Sequence, residues 1–434
     1  MARRPWRLAG LLSLLLLFPA AQSAKDKEAM GDAKKLKILL ACKRGSDREA
    51  RFGQFLARYF GKVVPISLEL LTEKTAEGYD VVVADWERRY AHGDFQDHKK
   101  PKLRIPDGFS KPVIMVGMVG GEVQRHTKIG SGLGWWAATE LQNAAHSVKK
   151  EHPIFKGPLE LKLELVPVDT PEDLKKHVDG KGLPAQLETW AVQTGRVPKD
   201  IDWGFVAAPW GFEDSPDAEI LASGAGCRNP RAVAMARHGN FFLWGFDGDP
   251  AQMTEAGRRV FVNTVVWMKK FDGKRPLVAP QMSPRELVFH YIEWLRDADD
   301  EDSLVAAKRR FPDDVREKTK TDPDKLEAYY KEHYERLCPA GGESGGFRAD
   351  PDLDELGKVG NRKLEFWDAV LARLAKNEKD ELALRVAGRY LPGKTLAPAE
   401  LKAWVDENRK WLFFTDVGGF KWAVDEHAKK EEKK

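Results

Sequence analysis

Two aspartates follow strand-like segments at points where acid–base chemistry is common. Asp85 closes the apolar run 79–85 (YDVVVAD), and Asp247 follows the run 241–244 (FFLW). In doubly wound sheets, ligands bind just beyond the carboxyl ends of the strands, so both carboxylates are candidate catalytic groups. The run DGDP at 247–250 also has the composition of an ordinary turn before a helix. The sequence favours the turn for Asp247 and leaves a catalytic role as the alternative.

Two histidines lie near predicted strand ends. His152 precedes Pro153 in the segment HPIFKG and could act as a general acid or base beside the aspartates. A His-Pro pair also simply begins a loop, so both interpretations stay open. His238 lies in the run His-Gly-Asn between two predicted strands, where a hairpin turn explains it better than catalysis does.

Aromatic residues supply a second kind of candidate site. The chain has 14 tryptophans, and Trp135 and Trp136 directly follow the glycine-rich run 130–134 (GSGLG). Carbohydrate sites use aromatic ring faces, so Trp135, Trp136 and Trp244 are candidate ligand contacts, although large cores use tryptophan in the same way. The glycine-rich run lacks the Lys-Ser/Thr pair of a P-loop, so we expect no nucleotide and no other cofactor.

The three cysteines offer little support for disulfide or metal chemistry. Their number is odd, and the chain has no CxxC motif and no cluster of His and Cys at zinc spacing, so no metal site is expected. Cys227 lies beside Arg228, whose charge would favour a thiolate. A structural or oxidised cysteine is the preferred interpretation of Cys227. One pair of cysteines could form a disulfide, but the sequence does not say which.

These candidates must be positioned by alternating strands and helices. Four short apolar runs predict buried strands, at 36–42, 62–68, 79–85 and 112–119. Strands that alternate with helices imply right-handed crossovers and an α/β fold with a doubly wound, mostly parallel sheet. Residues 159–168 alternate apolar and polar side chains, which is typical of an antiparallel or edge strand. Two further strands, 232–236 and 241–244, precede a helix that begins at Thr254.

The sequence divides into a leader, an α/β domain and a mainly helical C-terminal region. The predicted segments are a signal peptide at 1–24, a charged spacer at 25–35, the α/β domain at 36–275, the helical region at 284–425 and a charged tail at 426–434. The leader combines a basic start, a leucine-rich run and small residues, which is typical of a secretory signal. An uncleaved membrane anchor is the alternative. We therefore expect a secreted or periplasmic protein that has no transmembrane span after signal removal.

The charge composition argues against nucleic-acid binding. The chain has 71 Lys and Arg residues against 67 Asp and Glu residues, for a formal net charge of +4. These charges nearly cancel, and lysine clusters such as the terminal KKEEKK are typical of a solvated surface. The expected partners are a small molecule, a carbohydrate or another protein.

The order of several short motifs resembles the class I glutamine amidotransferase-like fold, in its trehalose-utilisation (ThuA-like) branch. The motifs are the YDVVV strand, a strand that ends in glycines, the run HPIFKG at 152–157 and the helix FVNTVVW at 261–267. The resemblance covers residues 36 to 272 and implies flavodoxin-like layering of helices on a sheet. The region after residue 284 resembles helical extensions of exported bacterial proteins for which we know no activity.

The chain departs from this family at the position of the nucleophile. Amidotransferases of this class carry a cysteine in G-x-C-x-G at a sharp strand-to-helix turn, where backbone N–H groups can hold an oxyanion. The corresponding segment here is 116–120 (VGMVG), and the thioether of Met118 cannot form a thiolate. Gly117 and Met118 are instead candidate ligand contacts. The ThuA-like branch usually places histidines after this strand and after the last strand, and this chain has neither.

These features favour an exported amidotransferase-like protein that lacks the nucleophile. It would bind a small molecule or carbohydrate, or take part in an assembly at the cell envelope. The alternative is a sugar-directed hydrolase or isomerase that uses Asp85, His152 and Asp247. The two hypotheses differ in whether those three side chains converge on one cleft.

Overall fold

The structure is a computed structural model of the chain. It describes residues 24–86, 105, 108–117, 119–120, 135–138, 141–176, 183–194, 204–226, 229–279, 281–341, 346–393 and 396–433. The predictions for the signal peptide (1–23), Met118 and Cys227 lie outside these ranges. For Trp135 and Trp136 the structure describes the backbone but not the side chains.

One sheet forms the centre of the amino-terminal part of the chain, and within the described residues it has 12 strands. Its strands are β1 Lys37–Cys42, β2 Lys62–Ser67, β3 Val81–Trp86, β4 Val113–Gly117, β5 Trp135–Ala138, β6 Ala144–His146, β7 Val166–Asp169, β8 Gln186–Ala191, β9 Phe205–Ala207, β10 Ala218–Ser223, β11 Val233–His238 and β12 Phe241–Trp244. Strands β2, β1, β3, β4 and β12 are neighbours in that order and run parallel. From β12 the sheet continues through β11, β10, β6, β8 and β7 with antiparallel neighbours.

Helices cover both faces of the parallel strands. The helices described in this part of the chain are α1 Ala24–Met30, α2 Asp47–Ala57, α3 Glu73–Ala76, α4 Glu172–Lys176, α5 Trp210–Glu213 and α6 Glu255–Met268. One hydrophobic core contains Leu40 and Val116 together with residues of α2 and α6, and a second contains the adjacent Leu39 and Met115. Successive strand side chains point to opposite faces, so burial of both sets confirms the predicted doubly wound α/β fold.

The sequence also predicted the antiparallel part of the sheet in outline. Strands β11 and β12 form a hairpin in which His238 pairs with Phe241. Gly239 turns this hairpin with a φ of +55°, and an added Cβ would lie 2.5 Å from a backbone nitrogen, so only glycine fits there. The predicted edge strand is present as β7 and is the last strand of the sheet, whereas residues 160–165 form no strand.

The C-terminal part of the chain is mainly helical, as the sequence predicted. It contains α7 Leu287–Asp297, α8 Glu301–Lys308, α9 Asp313–Thr319, α10 Pro323–His333, α11 Pro351–Glu355, α12 Glu365–Lys376, α13 Glu381–Tyr390 and α14 Pro398–Asn408. Two antiparallel hairpins accompany these helices: β13 Leu337–Pro339 with β14 Phe347–Ala349, and β15 Leu412–Thr415 with β16 Lys421–Val424. This part has a hydrophobic core of its own, which includes Trp367 and Tyr390.

The charged segments that flank the two predicted domains are helical and contact the α/β part. In α1, Asp26 accepts a hydrogen bond from Arg259 of α6 at 2.9 Å. The last helix, α15 (Glu426–Glu432), carries His427, whose Nε2 lies 2.7 Å from the backbone oxygen of Arg275. Among the described helices, none is long and apolar enough to cross a membrane.

Candidate functional site

The carboxyl ends of the parallel strands bring Asp85 and Asp247 close together. Asp85 of β3 is in register with Val116 of β4, which in turn pairs with Trp244 of β12. The chain continues from β12 to Asp247 at the same edge of the sheet. Both aspartates are buried. The sequence-based expectation that these two carboxylates lie at one edge therefore agrees with the structure.

The guanidinium of Arg48 lies between the two aspartates. Ser46 caps α2 by accepting a hydrogen bond from the backbone N–H of Glu49 at 3.1 Å, and this cap places Arg48 in the first turn of the helix. Arg48 Nε donates to the two carboxylate oxygens of Asp85 at 3.0 and 2.8 Å, and Nη2 donates to Oδ1 at 2.7 Å. Its Nη1 donates to the backbone oxygen of Asp247 at 2.5 Å, and its Nη2 lies 3.7 Å from Asp247 Oδ1.

This arrangement fixes the charges at the sheet edge. Burial alone would lower the pKa of Arg48, but the negative charges of Asp85 and Asp247 outweigh it and raise that pKa. Arg48 therefore stays cationic, and both carboxylates face a permanent positive charge. The cluster has the chemistry of a buried ion network.

Gly117 closes the same cluster from the end of β4. Its φ is +56°, and an added Cβ would lie 2.0 Å from Asp247 Oδ1. Glycine is therefore required on two grounds, backbone conformation and space. Beyond this strand, Val119 and Gly120 have helical conformation. Gly117 was predicted as a ligand contact; here its immediate neighbour is a protein carboxylate.

The DGDP run forms a turn whose polar groups bind within the protein. Asp249 Oδ1 accepts the backbone N–H of Ala251 at 2.8 Å, and its Oδ2 accepts a hydrogen bond from Arg51 at 2.7 Å. The backbone N–H of Gly248 donates to Gln193 Oε1 at 2.7 Å. These contacts agree with the turn that the sequence favours, since aspartates in turns commonly bind backbone groups two residues on.

Cys42, at the end of β1, does not have the environment of a nucleophile. Its side chain is buried and free of any disulfide. Burial, assisted by the negative charges of Asp85 and Glu49, raises the pKa of the Cys42 thiol to about 12. Because only the thiolate attacks carbonyl groups, this cysteine is inert at neutral pH.

His152 does not join the aspartates. Its Nε2 lies 3.1 Å from Glu219 Oε2, and its Nδ1 accepts the backbone N–H of Ile154 at 3.4 Å. Its ring contacts Trp267, in the last turn of α6, at a centroid distance of 4.7 Å. The loop with Asp247 precedes the first turn of α6, and a helix of 14 residues is roughly 20 Å long. The three predicted catalytic side chains therefore do not converge on one cleft.

A neighbouring ion pair confirms that His152 belongs to a different cluster. Glu219 also accepts a hydrogen bond from Arg237 at 2.7 Å. Despite partial burial, the hydrogen bonds from His152 and Arg237 lower the pKa of Glu219 to about 2. With Nδ1 accepting from the backbone, the proton of a neutral His152 resides on Nε2 and points to this carboxylate.

The two family-like motifs bind each other. Asn263, from the FVNTVVW helix, accepts a hydrogen bond from the backbone N–H of Leu159 at 2.8 Å and donates to the backbone oxygens of Ile154 and Leu159 at 3.0 and 2.9 Å. The segment that begins with HPIFKG is therefore held by one buried amide side chain, while Trp267 packs on His152. The spacing of Asn263 and Trp267 on one helix face explains both residues structurally.

Trp244 lies in the core rather than at a surface. Its side chain is fully buried, and its ring packs edge-to-face on Phe261 at 5.0 Å and on Phe246 at 6.3 Å. Such packing favours the core interpretation that the sequence left open. The proposed roles of Trp135 and Trp136 concern side chains outside the described set and stay predictions.

Sequence reasoning missed two buried polar clusters. Arg48 had a signal, because a buried aspartate at a strand end requires a cation or several donors. The second cluster surrounds His238, whose Nε2 lies 3.3 Å from Asp217 Oδ1 and 3.2 Å from Ser215 Oγ. Both contacts use the same nitrogen, whereas a catalytic triad needs the acid and the nucleophile on opposite nitrogens. The hairpin interpretation of His238 agrees with its pairing in β11.

The described residues were also compared with the arrangement that a metal site requires. In the described part of the chain, no group of three or more His, Cys, Asp or Glu side chains is arranged to hold a metal ion.

No protein-family model matches the sequence, and no curated protein matches it. Among solved structures, a protein assigned as a GMP synthase subunit from Thermoplasma acidophilum aligns with 54% of this chain and 94% of its own, at 15% identity and a TM-score of 0.28. So low a score carries no argument about function, and the fold assignment above rests on strand order and register.

Proposed function

We propose that this chain is an exported, amidotransferase-like protein that lacks amidotransferase chemistry. It would bind a small molecule or carbohydrate, or serve in an assembly at the cell envelope. The observation that supports this proposal best is the Arg48 cluster, because its guanidinium is directed at Asp85 and Asp247. In active doubly wound enzymes, polar groups at this edge are turned towards substrate.

The state of the thiols supports the same proposal. Met118 occupies the position of the family's nucleophile, and the buried thiol of Cys42 has a pKa raised to about 12. Neither can supply a thiolate at neutral pH. The competing hypothesis of a sugar-directed hydrolase or isomerase needs His152 beside the aspartates, and the contacts of His152 with Glu219 and Trp267 count against it.

A paired assay separates catalysis from binding. The purified mature chain would be tested for ammonia release from glutamine and for conversion of a panel of disaccharides. We expect no turnover above background in either assay. Turnover that disappears in the Cys227→Ser or His152→Ala variant would contradict the proposal and favour an enzyme.

Binding would be tested with the same protein in a thermal-shift screen of sugars and nucleotides. A hit would be repeated with Trp135→Ala and Trp136→Ala, which remove the predicted aromatic contacts. The matched control is Trp294→Ala, because Trp294 is 37% exposed on a different part of the chain. Loss of the shift in the first two variants alone would support a ligand site beside the sheet. No shift with any compound would favour the role in an assembly.

A further inference from the structure

The helical C-terminal part contacts the α/β part through a half-buried carboxylate. Asp214 directly follows α5 and is bound by the loop after β15. Its carboxylate accepts hydrogen bonds from the Thr415 hydroxyl at 2.5 Å and from the backbone N–H groups of Asp416 and Val417 at 3.1 and 2.9 Å. In the described structure, the three donors are an uncharged hydroxyl and two amides.

Arg285, which binds the same loop, is engaged with a different carboxylate. Arg285 is fully buried, and its Nε and Nη2 donate to the two oxygens of Asp416 at 2.8 Å. Asp416 therefore has a bidentate partner, whereas Asp214 faces a second negative charge next to it. Glu213, which precedes Asp214, pairs with Arg231, and Arg231 also pairs with Glu286 before α7.

We propose that Asp214 acts as a proton-dependent clasp, which binds the C-terminal helical part to the α/β part more tightly when it is protonated. Protonation removes a half-buried charge whose described donors are all neutral, and such a charge is costly to keep away from water. It preserves the hydrogen bonds, because the Thr415 hydroxyl can accept as well as donate.

The direction of the pH dependence follows from the environment of the carboxyl group. Burial, with a contribution from the charge of Asp416, raises the pKa of Asp214 to about 6, although the hydrogen bonds from Thr415 and the loop amides oppose this. In an open state Asp214 would be exposed, with a pKa of about 3.9. The closed state therefore binds the proton more tightly. Its extra stability is fully present below about pH 4 and is lost as the pH rises through about 6.

Hydrogen exchange at two amides measures the closing equilibrium directly. The backbone N–H groups of Asp416 and Val417 both donate to Asp214, so opening exposes them. In the full mature chain we expect their protection, corrected for intrinsic exchange rates, to fall about 100-fold between about pH 4 and pH 7. The amide of Val116, in the core of the sheet, reports global unfolding and should stay protected throughout.

Two variants assign the effect to Asp214. Asp214→Asn cannot change its charge, so protection at both amides should become independent of pH. Asp302→Asn is the matched control on an exposed helix and should keep the wild-type profile. His427 also contacts the α/β part, at the backbone oxygen of Arg275. This contact is common to the wild type and both variants, so a difference between the two variants assigns the pH dependence to Asp214.

A second measurement keeps the proposal testable if Asp214→Asn does not fold. Thr415→Val removes one donor to the carboxylate and should move the midpoint of the wild-type transition to higher pH. The proposal is wrong if wild-type protection does not change with pH, if Asp214→Asn retains the wild-type dependence, or if the Thr415→Val midpoint stays in place.

Discussion

Replacing Arg48 with methionine should destabilise the fold strongly, because two buried carboxylates would lose their counter-charge. The side chains of Arg48, Asp85 and Asp247 are 5%, 2% and 5% exposed, so water cannot take the place of the guanidinium. Removal of one partner from a buried ion pair costs about 3–5 kcal/mol. Arg48 serves two carboxylates and one backbone oxygen, so we expect a loss in the free energy of unfolding near the upper end, about 4–5 kcal/mol.

The loss should also depend on pH. Without Arg48, burial favours the protonated forms of both carboxyl groups. Folding of the variant would then take up protons, so its stability deficit should shrink as the pH falls from about 7 to about 4.

Urea unfolding followed by tryptophan fluorescence measures these differences. The matched control is Arg44→Met, because Arg44 pairs with Glu49 beside the same helix but is 49% exposed. An exposed pair of this kind is worth at most about 1 kcal/mol. Adding Asp85→Asn to Arg48→Met should recover part of the loss. If Arg48→Met costs no more than Arg44→Met, or if the second substitution only adds to the cost, the ion-network explanation is refuted.

Three further predictions concern two glycines, a buried amide and the cysteines. Gly117→Ala should cost about 3 kcal/mol, whereas Gly78→Ala should cost only about 1 kcal/mol; both glycines have positive φ, but Gly78 has no neighbour within 4 Å of an added Cβ. Comparison of the two melting temperatures checks this difference. Asn263→Ala should lower the free energy of unfolding by about 3 kcal/mol, because three hydrogen bonds to the backbone are lost. The backbone amide of Leu159, which donates to Asn263, should then exchange its hydrogen faster. In a Cys227→Ser background, Cys42 and Cys338 should resist a thiol reagent at pH 8 until the chain unfolds, since burial raises their pKa values to about 12 and about 11; rapid labelling of the folded chain would contradict this.

The layered part of the fold is predictable from the sequence because continuous apolar runs there indicate strands that are buried on both faces. The run 81–84 (VVVA) is buried on both faces of the sheet, and only a covered parallel strand accommodates such a run. The hairpin of β11 and β12 was predictable from Gly239, where the turn requires positive φ. Residues 159–165 were harder to assign. Their apolar and polar side chains alternate as in a strand, but in the structure they form no strand.

The candidate site was predictable only in part, because sequence position gives the edge of the sheet but not the partner of each side chain. Asp85 and Asp247 lie at the expected edge. Their contacts with Arg48 join residues 37 positions apart for Asp85 and 199 positions apart for Asp247, and no local pattern encodes such contacts. For His152 the sequence left a catalytic and a loop interpretation open, and its neighbours in the structure are a carboxylate and a tryptophan.

The same geometry explains why a new nucleophile alone would not create an amidotransferase. A cysteine at position 118 would need an imidazole within hydrogen-bonding reach to form a thiolate. His152 lies near the other end of α6 and is bound to Glu219, and His238 is buried beside Asp217. The cation close to that turn, Arg48, already binds Asp85 and the Asp247 loop, and Gly117 leaves no room for a side chain beside Asp247. Neither of these two histidines is placed to activate a thiol at position 118, and releasing Arg48 for that task would remove the charge that stabilises two buried carboxylates.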